Sequence, residues 1–86
     1  MEYLVVAFKS RQESIEVGKV FNSVGISSSV ITTPKEAGLG CGLSVKTDLR
    51  NLFAVKNVLT RINAKSFLGL FKVIEVGGKP IVKSIY

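Results

Sequence analysis

The sequence contains a single cysteine, Cys41, and no histidine. One thiol cannot form a disulfide within the chain. Without histidine there is no Cys–His pair, no serine triad with a histidine base and no ordinary zinc site. We therefore expect neither a metal nor a cofactor, and hydrolytic enzyme classes are disfavoured. Cys41 is then the best candidate for a working residue.

Three glycines surround this cysteine: Gly38, Gly40 and Gly42. They remove side-chain bulk beside the thiol and permit positive φ, so backbone amides can turn toward the sulfur and a partner protein can reach it. A lone cysteine is more often packed and inert, and composition alone favours that alternative. A dinucleotide-binding loop is excluded, because Leu43 replaces its third glycine and a strand follows where that motif needs a helix.

Length and charge bound the function further. The 86 residues suffice for one domain, which we expect to span residues 1–86. Twelve Lys and Arg against six Asp and Glu give a net charge of +6, which favours nucleic acid, acidic proteins or small anions as partners. The cations are scattered, so a solvated surface is the simpler interpretation. No apolar stretch approaches the roughly 20 residues of a membrane span, and we expect a cytoplasmic protein.

Hydrophobic periodicity predicts the order βαββαβ followed by one extra strand. A strand over residues 3–9 precedes a helix that begins at Ser10 and stops at Gly25. Ser10 and Glu13 fit a capping box, in which the hydroxyl bonds the amide of Glu13 and the carboxylate reaches back. Gly18 predicts a close approach of this helix to the sheet. The predicted apolar face of the helix consists of Ile15, Val17, Val20, Phe21 and Val24.

The second half of the chain shows the same alternation. Strands are predicted over residues 26–33 and 42–46, joined by a loop over residues 34–41. Thr47 or Asp48 caps a second helix that ends at Asn63. A strand over residues 67–76, a Gly-Gly turn and a return over residues 80–85 form a hairpin. Pro80 places the last strand at an edge of the sheet.

This order indicates an α+β, ferredoxin-like βαββαβ sandwich with an antiparallel sheet, both helices on one face and an extra C-terminal β-hairpin strand. In the usual strand order, 4-1-3-2, the first strand ends beside the start of the third. Cys41 is therefore expected at the amino end of the first helix, where free amides stabilise an anion. The residues expected to support the thiolate and lower its pKa are Lys9, Ser10, Arg11, Lys35, Gly38, Gly40 and Gly42.

The stretch over residues 30–44, VITTPKEAGLGCGLS, resembles the signature of the selenium/sulfur-carrier-like family, small proteins formerly grouped as a domain of unknown function. The matching positions are Pro34, Lys35, Cys41, Gly42, Leu43 and Ser44. The resemblance covers residues 3–63. The family commonly has serines before the cysteine, where this chain has Gly-Leu-Gly, and the tail from Phe67 onward is longer than expected.

The resemblance implies a carrier or accessory protein and not a stand-alone enzyme. Cys41 would hold sulfur or selenium as a persulfide or selenopersulfide, taken from a donor protein and passed to an acceptor protein.

The alternative is a small basic module that binds RNA or a protein, with a structural cysteine. Aromatic residues lie on predicted strands, although no RNA-recognition signature is present. These aromatics are Tyr3, Phe8, Phe67 and Phe71. A homodimer through the edge of the hairpin over residues 67–85 is compatible with either function.

Overall fold

The computed structural model describes residues 2–38 and 42–85. Its strands and helices follow the predicted order: β1 Glu2–Phe8, α1 Arg11–Ser23, β2 Ser28–Thr32, β3 Leu43–Asp48, α2 Leu52–Arg61, β4 Phe67–Val76 and β5 Lys79–Ser84. Two short 3₁₀ turns, Lys35–Ala37 and Leu49–Asn51, precede β3 and α2. None of the helices in the described part of the chain is long and apolar enough to cross a membrane.

The strands form one sheet in the order β2-β3-β1-β4-β5, and every neighbouring pair is antiparallel. The predicted α+β class, with its antiparallel sheet and its extra strand, is thereby confirmed. The order differs from the four-stranded 4-1-3-2 arrangement because β5 extends the sheet beyond β4. The predicted closeness of the first and third strands is also confirmed, since Ala7 at the end of β1 pairs with Ser44 at the start of β3.

The β4–β5 hairpin turns at Gly77 and Gly78, whose φ angles are 59° and 78°. Two consecutive left-handed residues match the right-handed twist of a hairpin, and only glycine adopts them without cost. The amide of Ile85 donates to the carbonyl of Leu70. By the alternation of an antiparallel ladder, Pro80 then faces away from β4. The predicted edge position of Pro80 is confirmed, and its missing N–H lies where the sheet needs no donor.

Both helices pack on one face of the sheet. The first strand supplies Leu4, Val6 and Phe8 to a cluster that also contains Val45 and Leu70 of the neighbouring strands. The helices add Val17, Phe21 and Val55. The predicted placement of both helices on one side is therefore confirmed by a shared hydrophobic core.

The buried face of α1 is rotated from the predicted one. Ile15 and Val24 were expected in the core, but their side chains are 43% and 58% exposed. The buried positions are Ser14, Val17, Gly18 and Phe21. Gly18 explains the rotation, because a Cβ atom there would lie 3.4 Å from Cγ2 of Val30 on β2. The glycine thus allows the close helix–sheet approach that was predicted.

The opposite face of the sheet carries a second, smaller cluster. Its buried members are Val5, Ala7, Phe71 and Val73. Ala37, in the first 3₁₀ turn, packs against this cluster, and the turn contacts β5. The segment after β2 was predicted to be a loop. It instead crosses the second face and covers part of the apolar surface there.

The start of α2 lies later than predicted. Asp48 is a cap, but its carboxylate accepts from the amide of Arg50 at 2.9 Å and begins the 3₁₀ turn that precedes α2. The other candidate cap, Thr47, donates its hydroxyl to the carbonyl of Ser27 at 2.7 Å. The helix ends with Ile62 as its C-cap, one residue before the predicted stop.

Candidate functional site

The loop between β2 and β3 is closed at its base by Thr33 and Gly42. The amide of Thr33 donates a 2.9 Å hydrogen bond to the carbonyl of Gly42, and the Thr33 and Ser44 hydroxyls lie 2.6 Å apart in a buried position. Cys41 and Gly40 lie outside the described residues, so their roles stay predictions. The residue that follows Cys41 nevertheless has a defined place.

Gly42 lines a shallow groove of about 360 Å³ beside the start of α1. The residues around it are Lys9, Arg11, Thr32, Gly42 and Leu43. A Cβ atom on Gly42 would lie 3.6 Å from the carbonyl oxygen of Phe8 at the end of β1. The structure therefore brings together three of the predicted site residues, Gly42, Lys9 and Arg11. Both cationic side chains are exposed.

Ser10 caps the first turn of α1, as predicted: its hydroxyl accepts from the amide of Glu13 at 3.2 Å. The other half of the predicted capping box is wrong. The Glu13 carboxylate turns away and accepts from the amides of Lys65 and Ser66 at 3.1 and 2.7 Å and from the Ser66 hydroxyl. The amide of Ser10 donates to the Ser66 hydroxyl at 3.1 Å. A serine from the segment after α2 thus completes the cap, 53 residues away in sequence from Glu13.

This network changes the charge at the start of α1. Hydrogen bonds from the Ser66 hydroxyl, and then from its amide, lower the pKa of Glu13 below its ordinary value. Glu13 is therefore a stable anion in the first turn and offsets part of the positive potential of the helix end. Lys9 and Arg11 consequently supply most of the positive charge that faces the groove.

A second bond fixes α1 against β3. The Ser14 hydroxyl donates to the carbonyl of Leu43 at 2.8 Å and lies 3.2 Å from the carbonyl of Ser10. Ser14 is fully buried. Its hydroxyl links the first turn of α1 to the first residue of β3, next to Gly42. The sequence offers no signal for this contact, because a serine in a helix is usually solvated or a cap.

Lys35 does not join this group. It belongs to the 3₁₀ turn whose Ala37 packs on the face of the sheet opposite the helices, and its side chain is exposed. Gly38 ends that turn with a φ of 70°, so the predicted need for a glycine at this position is met. Lys35 is not among the residues that line the groove with Lys9 and Arg11.

The aromatic residues that suggested an RNA-binding face are not displayed together. Phe8 and Phe67 pack edge to face, with ring centroids 6.0 Å apart, and Phe8 is buried in the helix-side core. Phe71 is buried in the second cluster. Tyr3 carries the amine of Lys46 over its ring, 4.3 Å from the centroid. An open stacking platform for bases is therefore not formed by these residues.

Tyr3 belongs to a polar cluster with Lys46 and Glu75 that the sequence did not predict. Burial raises the pKa of its hydroxyl, and the nearby Glu75 carboxylate, which bonds to it, raises it further. The hydroxyl is therefore neutral in the physiological range. We see no reactive group in this cluster, which is consistent with a structural role.

The groove beside Gly42 is thus an open, cationic surface suited to an anion. Across residues 2–38 and 42–85, no group of three metal-ligating side chains could hold a metal ion. What the described residues offer at this groove is the positive charge of Lys9 and Arg11 on a surface that a ligand can reach.

Comparison with known protein families shows which family the chain belongs to. Residues 3–66 match the family described as "Putative Se/S carrier protein-like". The chain belongs to this family. No curated protein and no solved structure matches it with significant similarity. The predicted resemblance to selenium/sulfur carriers is therefore confirmed at the level of the family.

The Se/S carrier-like match ends at Ser66, the residue that completes the α1 cap. The whole C-terminal hairpin, β4 and β5, lies beyond it. Yet β4 pairs with β1 from Glu2 to Phe8 and supplies Leu70, Phe71 and Val73 to the two clusters. The family region of this chain therefore depends on the tail for its central packing.

Proposed function

We propose that this chain carries sulfur or selenium on Cys41 between a donor protein and an acceptor protein. The observation that supports the proposal is the position of Gly42 in the groove lined by Lys9 and Arg11. Because Cys41 directly precedes Gly42 in the sequence, we assign its thiol to this groove. A thiolate there would be stabilised by two cations that the sequence alone placed beside it.

The transfer needs no oxidant and no general base. The Cys41 thiolate attacks the outer sulfur of a persulfide on the donor. A new S–S bond forms at Cys41, the donor S–S bond breaks, and the donor cysteine leaves as a thiolate. Attack by an acceptor thiolate on the outer sulfur of Cys41 reverses the same bonds. The chain therefore has to stabilise only an anion, first the thiolate and then the terminal sulfur or selenium.

The described residues meet that need in two ways. Lys9 and Arg11 supply positive charge. The amides of Arg11 and Gln12 have no acceptor within α1, since the first amides of a helix are unpaired there and Ser10 caps only that of Glu13. The proposed supporting set on this side is thus Lys9, Ser10, Arg11 and Gly42. Gly38, Gly40 and Lys35 would act by shaping the loop from the other side.

We further propose that residues 1–86 form one domain of ferredoxin-like architecture with β5 as an added edge strand. The sheet positions of β4, β1, β3 and β2, in that order, support the assignment. So does the single face that both helices share. A cytoplasmic location would keep the lone thiol reduced and available.

Intact mass spectrometry tests the carrier function. The chain is incubated with a cysteine desulfurase and cysteine, with Cys41→Ala treated in parallel. We expect a species heavier by about 32 Da, the mass of one sulfur atom, on the wild-type chain only. Reduction with dithiothreitol should remove the increment. Absence of the species, or its presence on Cys41→Ala, would overturn the proposal.

A further inference from the structure

The outer edge of β2 is open to strand pairing over half its length. Within the described residues, this strand pairs only with β3. The bond from the Thr33 amide to the Gly42 carbonyl sets the register. In an antiparallel ladder the bonded positions alternate, so the N–H and C=O groups of Val30 and Thr32 point away from β3. They are available to an added strand.

The other half of the edge is already occupied by a side chain. The amide of Ser28 donates to the side-chain oxygen of Asn22 at 3.0 Å, and the side-chain nitrogen of Asn22 donates to the carbonyl of Ser28 at 3.3 Å. The same nitrogen also donates to the carbonyl of Gly18 at 3.0 Å. Asn22 thus takes the place that an added strand would have at Ser28. The open part of the edge is confined to its end beside Thr33 and the Cys41 loop.

The two edges of the sheet differ in their protection. Edge strands commonly carry charges or proline that discourage pairing. β5 carries both kinds of residue, the charges of Lys79 and Lys83 and the proline Pro80. β2 has neither a charge nor a proline. An unprotected edge beside the proposed transfer site indicates that pairing at β2 has a use.

The surroundings of the open half indicate its occupant. Val30 and Ile15 are large apolar side chains with 39% and 43% exposure, and they offer contact to an apolar residue. Thr32 shares the groove with Lys9 and Arg11. If two copies paired through this half, Val30 of one would face Thr32 of the other, and the cations of both grooves would come together. Charge therefore disfavours a second copy and favours an acidic segment.

We propose that the sulfur donor docks by adding a short, extended, acidic segment to β2 at Val30 and Thr32. The segment would pair with the free backbone groups, rest on the apolar side chains and direct its carboxylates to Lys9 and Arg11. This docking would deliver the donor persulfide to the loop between Thr33 and Gly42. The inference rests on the proposed carrier function.

Desulfurase-driven loading of Cys41 tests the docking when it is measured as a function of carrier concentration. Thr32→Pro removes one outward N–H, and Val30→Glu places a carboxylate where it repels an acidic segment. We expect either variant to raise the half-saturating concentration about tenfold. Ser84→Pro is the matched control, since Ser84 has the equivalent outward position on β5. It should load like the wild-type chain. Unchanged half-saturation in both β2 variants would overturn the docking proposal.

A second readout separates docking from carriage. Amide hydrogen exchange is measured on the wild-type chain with the desulfurase and without cysteine, so no sulfur is transferred. The amides of Val30 and Thr32 should exchange more slowly when the enzyme is present. If these amides slow but the separate loading assay with cysteine gives no persulfide on Cys41, carriage is wrong and docking stands. If loading occurs without any slowing, docking at β2 is wrong and carriage stands.

Discussion

The hydroxyl of Ser14 lies 2.8 Å from the carbonyl oxygen of Leu43, so the first turn of α1 is bonded to the first residue of β3. This bond fixes the start of the helix beside the residues that follow Cys41. This hydroxyl is also a constraint on the fold, because it is buried and a buried polar group needs a hydrogen-bond partner.

Replacing Ser14 by alanine should therefore destabilise the fold. The variant loses the bond to Leu43 and leaves that carbonyl without its partner, at a cost of about 1–3 kcal/mol in the free energy of unfolding. Urea denaturation measures the change. Ser23→Ala is the matched control, since this serine is exposed on the same helix and donates to the carbonyl of Val20 in the preceding turn. Equal stability of Ser14→Ala and the wild-type chain would contradict the assignment.

The Glu13–Ser66 contact predicts a pH dependence of stability. Ser66 lowers the pKa of Glu13 in the folded chain below the ordinary value of 4.5. The contact therefore stabilises the fold fully above that value, and the stabilisation is lost as the pH falls through the lower, folded value. Unfolding free energies measured in urea along an acid series should fall more steeply for the wild-type chain than for Glu13→Gln. Ser66→Ala should give an intermediate slope, and identical slopes for all three proteins would refute the prediction.

Asn22 should keep the chain from pairing with itself. Asn22→Ala frees both outward groups of Ser28 and opens the full length of β2. Two copies of β2 could then pair antiparallel with Val30 facing Val30. In this arrangement the two cationic grooves lie further apart than when Val30 faces Thr32, so their charges repel less. We expect sedimentation equilibrium to show concentration-dependent dimers for this variant. Adding Thr32→Pro should abolish them.

The matched control is Asn57→Ala, at an exposed position on α2. It should have the same mass in solution as the wild-type chain. A variant at Asn22 that stays as monomeric as the control at every concentration would show that the side chain does not protect the edge.

Two glycines of the loop should differ in their tolerance of alanine. Gly38 has a φ of 70°, with open space around it, so Gly38→Ala suffers from backbone strain alone and should cost about 1–2 kcal/mol. Gly42 does not need a positive φ, and a Cβ atom there would make only ordinary contacts, at 3.6 and 3.7 Å. Gly42→Ala should change the unfolding free energy by no more than about 0.5 kcal/mol. Thermal or urea unfolding showing the opposite ranking would contradict the described geometry.

The sequence predicted most of the local structure, because the signals are local. Apolar runs and a Gly-Gly pair define β4 and its turn at their observed positions, and the Ser10 hydroxyl caps α1 as expected. These features depend on residues within a few positions of one another. The order of elements then placed the start of β3 beside the start of α1.

The missed features are contacts between distant segments. The Glu13 carboxylate prefers Ser66 to the amide of Ser10 because the segment after α2 offers it three donors. Ser14 is buried where Ile15 was predicted to be, because α1 packs Gly18 against Val30 of β2. The turn at Ala37 packs on the face of the sheet opposite the helices, where it shields part of the second apolar cluster from water. Helical periodicity and cap motifs contain none of this information.

The central claim is that Cys41 is a working thiolate beside a cationic groove and not a packed core residue. The rate of its alkylation by iodoacetamide, measured against pH, tests this most directly. We expect an apparent pKa clearly below the value of about 8.5 for a free thiol. Neutralising the groove with Lys9→Gln and Arg11→Gln should raise it. A thiol that reacts with the pKa of a free cysteine, or that does not react in the folded chain, would contradict the account.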